Sequence, residues 1–318
     1  MNNSVSFKST AMESAKGMLD QPQTFANPEK SSKKKETIGI LAGVTIGLSP
    51  SLYVLHDTFK IKSYDELMSG VKDMQLFMPD VDTYENTVNN ANKILEESGL
   101  SKKGAKIIFC DGSAESDIKM NNLFENRKPK RLMAQVKQLY GLGGNAAYDS
   151  KTKNVIVSKK GLFTSIYHEL GHSMNDNKNV FTKALQKARV ITPFGMSIVA
   201  PIALGFGLFH NVDKTKNSKD KSKKEKTMDF VSKHVGALTL TSYLPMLVEE
   251  AIASKRGIKM AQKYLEPNKL DKLKINYAKA WSTYGITAGI LSLSVGLGVF
   301  VSNKIKHHKH KGNEQVKV

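Results

Sequence analysis

Residues Thr164-Ser165-Ile166-Tyr167-His168-Glu169-Leu170-Gly171-His172 carry two histidines four positions apart, with a glutamate directly after the first. On a helix, residues four apart share a face, so both imidazoles can reach one cation from adjacent turns. Glu169 then lies beside that cation without having to bind it. From there its carboxylate can take a proton from a water activated by zinc, which lowers the water pKa to about 7. The stretch follows a β-branched run, Val155-Ile156-Val157, and Gly161 separates the two. The reading is therefore strand, turn and metal-binding helix, with His168 and His172 as ligands and Glu169 as general base.

A catalytic zinc takes three protein ligands and leaves one position open. A third histidine six residues after His172, with glycine at the third, would make the set of one zincin class, but Asn175 and Lys178 stand at those positions. The other source is a carboxylate from a later helix, and Glu249 and Glu250 end the apolar run Val235 to Val248. Two adjacent acids there are costly unless something compensates them, and a metal ion would. Asp176, just after the motif, is a further candidate.

His-Glu-Leu-Gly-His followed, after a hydrophobic span, by Glu250-Ala251-Ile252-Ala253-Ser254 resembles the gluzincin-type membrane peptidases, among them the CAAX prenyl protease and HtpX heat-shock protease family and the YugP-like neutral zinc peptidases. That resemblance covers residues 140 to 256 and implies Glu250 as the third ligand, with Glu249 its competitor. It further implies Zn2+ as cofactor and peptide-bond hydrolysis as the reaction. Ser254 stands where the prenyl protease pattern has aspartate. Val155, Ile156 and Val157 are expected as an edge strand that aligns extended substrate backbone by main-chain hydrogen bonds.

Charge organises the rest of the 318 residues. Mean hydropathy is −0.34, yet Thr37 to Leu55, Val190 to Val212 and Trp281 to Asn303 contain no Asp, Glu, Lys or Arg. A span needs about 20 apolar residues, so these windows read as membrane segments, and Val235 to Val248 as a tilted, re-entrant or buried fourth. Gly285 and Gly289 form a small-xxx-small pattern that permits close helix packing. The net charge of +19 gathers beside the windows, at Lys33 to Lys35, Lys214 to Lys226 and Lys304 to Lys311. Juxtamembrane lysines account for it through anionic lipid and topology, so no nucleic acid partner is expected. The histidines at 307, 308 and 310 belong to the same basic tail. One cysteine, Cys110, allows neither an internal disulfide nor a multi-cysteine zinc cluster.

The expected fold is α+β and mostly helical. It combines a zincin-like catalytic domain, carrying a short β-hairpin, with three to four transmembrane helices. The expected divisions are a disordered basic tail (1–36), a transmembrane segment (37–56), the catalytic domain (57–189), a span (190–212) and a lysine-rich loop (213–229). A short apolar segment and helix with the third ligand (230–280), a last span (281–303) and a basic tail (304–318) complete the chain. Within 57–189 the pattern predicts helices at Tyr64 to Phe77, Tyr84 to Glu97 and Arg131 to Tyr140, a strand at Lys106 to Cys110, and a hairpin from Asn145 through Ser150 to Lys153 into Val155. The expected function is that of an integral, multi-pass zinc metalloendopeptidase acting on membrane-associated polypeptides, with its catalytic side non-cytoplasmic by the positive-inside rule. The reading from another class is a non-catalytic zinc-binding pseudopeptidase or membrane scaffold with a basic lipid-binding surface.

Overall fold

The computed structural model describes residues 28–59, 64–111, 113–124, 146–159, 161–209 and 219–307. The tail up to residue 27, the helix expected at Arg131 to Tyr140, residues 213–218 of the lysine-rich stretch and the tail beyond 307 lie outside the described residues.

Four long helices account for most of the fold: α1 (Pro28–Phe59), α6 (Val180–Phe209), α7 (Lys223–Ala261) and α8 (Pro267–His307). Each runs past the boundaries expected from charge. Helix α1 starts at Pro28, inside the expected tail, because proline's fixed φ suits the first helical position. Pro50 sits inside α1, and the hydroxyls of Thr45 and Ser49 back-bond to carbonyls one turn earlier on the same stretch. Helix α6 crosses the expected boundary between 189 and 190 without a break. Helix α7 opens with a capping box, in which Ser222 accepts from Glu225 N (3.2 Å) and Glu225 accepts from Ser222 N (2.7 Å). It then takes in the expected short segment Val235 to Val248, with non-helical backbone at His234 (φ −111°, ψ 15°).

Neighbouring long helices approach at small residues. On α1, Gly39 and Gly43 face α8, and one turn on a Cβ at Gly47 would meet Leu204 of α6. A Cβ on Gly43 would crowd the Gly298 carbonyl, and one on Gly298 the Gly43 carbonyl, so the two backbones touch. The contacts of Gly39 with Ser302 and of Gly47 with Ser294 make α1 and α8 antiparallel. Helices α7 and α8 are also antiparallel: Trp281 Nε1 donates to Leu247 O (2.9 Å), and Gly236 lies against Ser292 and Gly296. Among the described residues one helix, Pro267–Lys306, is long and apolar enough to cross a membrane, and Glu36–Pro50 is a shorter apolar stretch.

Against one end of these helices lies a smaller α+β part. It comprises α2 (Tyr64–Phe77), α3 (Tyr84–Glu97), β1 (Lys106–Cys110), α4 (Ala114–Phe124), β2 (Ala147–Asp149), β3 (Asn154–Ser158) and α5 (Ile166–Lys178). The two helices and the strand expected at 64–77, 84–97 and 106–110 form at those bounds. Its core joins Ala91 and Ile94 of α3, Val155 and Val157 of β3, and Ile166, Tyr167 and Leu170 of α5. It also takes Leu270, Leu273 and Tyr277 from the first turns of α8. The long helices thus belong to both parts, which is why no break marks the expected boundary at 280.

The sheet corrects one expectation. Its order is β1-β3-β2, with β3 parallel to β1 (Lys106↔Asn154 to Cys110↔Ser158) and antiparallel to β2 (Ala147↔Ile156 to Asp149↔Asn154). Val155, Ile156 and Val157 therefore lie in a central strand and not an edge strand: Val155 and Ile156 are paired on both sides, and Val157 pairs with Phe109 of β1. Val155 and Val157 face the main core, while Ile156 packs with Cys110 and Met120 on the other side, as a period of two requires. The substrate-aligning role was expected of an edge strand, and the central place of Val155 and Ile156 does not fit it.

Candidate metal centre

Helix α5 is fixed at its start by a carboxylate. Asp80 Oδ1 accepts from Thr164 N (2.8 Å) and from Thr164 Oγ1 (2.9 Å). Tyr277 of α8 donates to Thr164 O (3.1 Å), and its ring lies edge-on to the His168 imidazole with centroids 5.4 Å apart. The far end of α5 is held where Tyr148 of β2 donates to Asp176 Oδ2 (3.0 Å).

Helix α7 crosses α5 at van der Waals distance because two glycines face each other's partners. A Cβ on Gly171 would overlap the Ala253 carbonyl, and one on Gly257 would overlap the Tyr167 carbonyl. Gly171 belongs to the His-Glu-x-x-His segment itself. This approach brings Glu249 and Glu250 against His168 and His172, 77 to 82 residues away in sequence.

Three atoms converge. His168 Nε2 and His172 Nε2 are 2.9 Å apart, and Glu250 Oε2 is 3.1 Å from the first and 3.7 Å from the second. A point equidistant from all three lies about 1.9 Å from each, against Zn–N and Zn–O bonds of about 2.0–2.2 Å. Such a triangle fits one face of a tetrahedral ion and leaves its fourth position open. The opposite ring nitrogens are engaged elsewhere: His172 Nδ1–H donates to Glu249 Oε1 (2.9 Å), and His168 Nδ1 lies 3.0 Å from Ser254 Oγ. Because the carboxylate can only accept, it selects the His172 tautomer whose Nε2 lone pair faces the shared point.

Glu169 lies beside the two histidines, with a carboxylate oxygen within 4.8 Å of their ligand nitrogens. It is 5% exposed and its Oε2 has no hydrogen-bond partner. A buried carboxylate oxygen with no partner is an acceptor left unsatisfied beside the two histidines. Asp176, tied to Tyr148, is not part of the cluster.

Electrostatics also favour a cation. Glu249 and Glu250 are 0% and 2% exposed, and burying carboxylates uncompensated is expensive. Arg189 of α6 answers directly: its Nε donates to Glu250 Oε1 and lies 3.5 Å from Glu249 Oε2. Burial pushes the Glu250 carboxyl up, but the two imidazoles and Arg189 outweigh it and hold the group well below the usual carboxylate range. Burial lowers the His168 imidazole, whereas its bond to Glu250 and the charge of Glu169 raise it, for a net upward shift. Three carboxylates, Glu169, Glu249 and Glu250, thus gather here, with Arg189 the cation in direct contact with two of them, and a divalent cation would add to that compensation.

Two participants, Arg189 and Tyr284, are not marked as site residues by the sequence, and a third, Ser254, is marked there without a contact of its own. Arg189 was read as the end of a domain, although it is the last charge before a long apolar run, and such a residue is expected to pair. Tyr284 of α8 is near enough to Glu250, Arg189 and Glu169 to interact with them electrostatically. Ser254, where an aspartate stands in the prenyl protease pattern, supplies the His168 contact. Compared with protein-family models, curated proteins and solved structures, the chain matches none.

Proposed function

We propose that this chain is an integral membrane zinc metallopeptidase of zincin-like build, with His168, His172 and Glu250 as ligands and Glu169 as general base. The observation that carries the reading is the convergence of His168 Nε2, His172 Nε2 and Glu250 Oε2 beside the unpartnered oxygen of Glu169. Zinc, when bound, supplies Lewis acidity toward a water and a scissile carbonyl. Glu169 Oε2 accepts the proton of the attacking water and returns it to the departing amine, so one water is consumed for each peptide bond cut. Arg189 clamps the outer oxygen of Glu250 and leaves Oε2 to bind alone.

The membrane part of the proposal extends beyond α8. Residues 190–209 of α6 cover about 30 Å at 1.5 Å per residue, the thickness of a bilayer core, and separate Arg189 at the site from the lysine-rich end. Outward-facing apolar side chains continue along that length: Ile286, Ile290, Leu293, Leu297 and Phe300 on α8, Leu240, Leu244 and Val248 on α7, and Ile202, Phe206 and Phe209 on α6. A multi-pass bundle of α1, α6, α7 and α8 in lipid accounts for these exposed rows. With the lysine-rich end cytoplasmic, the metal centre lies at the non-cytoplasmic face, within reach of membrane-proximal polypeptides.

The test is hydrolysis of unfolded membrane-protein substrates by detergent-purified protein with and without Glu169→Gln. A loss of about 10²-fold or more with zinc retained is expected for a general base. Full activity in the variant would overturn the mechanism.

A further inference from the structure

Glu249 has the chemistry of a ligand and the position of something else. His172, Glu249 and Glu250 do offer ligand atoms within 4.8 Å of one another. But Glu249 Oε1 lies 2.9 Å from His172 Nδ1, on the opposite side of the imidazole from Nε2, which faces His168 and Glu250. An oxygen bonded to Nδ1–H cannot also reach a metal held at Nε2 of the same ring.

Glu249 is itself held. Asn175, on the next turn of α5 after His172, donates Nδ2 to Glu249 Oε1 (2.7 Å) and more weakly to Glu249 O (3.4 Å). Arg256, two turns after Glu249 on α7, donates Nη1 to Asn175 Oδ1. That contact fixes which way the amide faces, since the guanidinium can only donate and the carboxylate can only accept. Arg256, Asn175, Glu249 and His172 therefore form one connected network across the α5–α7 contact, in which Glu249 Oε1 accepts from Asn175 on one side and from the ligand His172 on the other.

We propose that Glu249 is a positioning residue and not a ligand: it holds His172 in the tautomer and orientation that bind the metal, and Asn175 and Arg256 hold Glu249. The proposal rests on the metal-centre reading above. A carboxylate behind a ligating histidine fixes the ring and raises its basicity, and losing such a partner costs about 10–100-fold in metal affinity.

The test is zinc affinity of the full-length apo protein in detergent, measured by competition with a chromophoric chelator. Wild type, Glu249→Gln, Asn175→Ala and Glu250→Gln are compared, with Co2+ spectra of each. The expected result is one zinc per chain bound about 10–100-fold more weakly in Glu249→Gln. Its Co2+ spectrum keeps the wild-type band shape, Asn175→Ala shows a smaller loss in the same direction, and Glu250→Gln shows altered bands. An unchanged affinity in Glu249→Gln, or a Co2+ spectrum altered as in Glu250→Gln, would overturn the proposal. Should Glu249→Gln fail to fold, Asn175→Ala decides, and unchanged affinity there overturns it. Wild type that takes up no metal would instead overturn the metal centre itself and the proposal with it.

Discussion

Gly171→Ala is the smallest change that tests how the centre is assembled. The added methyl would point at the Ala253 carbonyl of α7, short of ordinary van der Waals contact by about 1 Å. The obstacle is backbone within a helix, so α5 and α7 must separate or twist. Two of the three converging atoms are on α5 and the third is on α7, and a metal site tolerates ligand distances within only about 0.2 Å. A shift approaching 1 Å would therefore remove Glu250 from the set while leaving both histidines in place. Overpacking of this kind costs about 1–3 kcal/mol in stability, which a folded domain of this size can survive. The assay pairs thermal melting of the apo protein with zinc affinity by chelator competition. The expected outcome is a modestly lowered melting temperature together with a loss of affinity of about 100-fold or more, the scale expected when one of three ligands is lost. A Gly171→Ala protein that binds zinc as tightly as wild type would refute the inference that this close approach sets the ligand geometry.

Arg189→Met leaves Glu249 and Glu250 without their direct cation. A destabilisation of about 3–5 kcal/mol is expected for the apo protein, smaller once zinc is added, as read by thermal melting at both conditions. Asp82 accepts from Lys269 Nζ (2.9 Å), Thr83 N (2.9 Å) and Asn86 Nδ2 (3.2 Å) and ties α3 to the start of α8. Burial raises its carboxyl, but these bonds outweigh it and lower it below 3.8. Its stabilising contribution is therefore fully present above that value and is lost as pH falls below it. Asp82→Asn should flatten acid unfolding in that window, and an unchanged acid limb would count against the assignment. Ser254→Ala, which removes the partner of His168 Nδ1, should weaken zinc binding about tenfold with little change in apo melting.

The motif at His168 to His172 was legible because its chemistry is local: two ligands and a base within five residues on one helix face. The three charge-free windows were legible for the same reason, since hydropathy accumulates along consecutive residues. Helix ends were not, because charge marks where a helix leaves an apolar environment and not where its hydrogen bonding stops. Hence α7 runs from lysine-rich sequence at Lys223 through Val248 to Ala261, with a kink at His234 but no stop where the charge pattern changes. The place of β3 in the sheet depended on β1, which pairs with it in parallel from more than 40 residues upstream. Nothing between the two strands announces that pairing. The uninterrupted β-branched run at Val155 to Val157 was the available sign, since strands buried on both faces do not alternate. Glu249 and Glu250 were recognised as a pair, but their separate tasks follow from which side of His172 each one faces, and sequence carries no such direction.

The most direct test of the central claim is metal content by mass spectrometry on detergent-purified wild type, His168→Ala and Glu250→Gln. Near-stoichiometric zinc in wild type, lost in both variants, is the predicted result. Wild type without zinc, or zinc retained in both variants, would contradict a centre built from His168, His172 and Glu250.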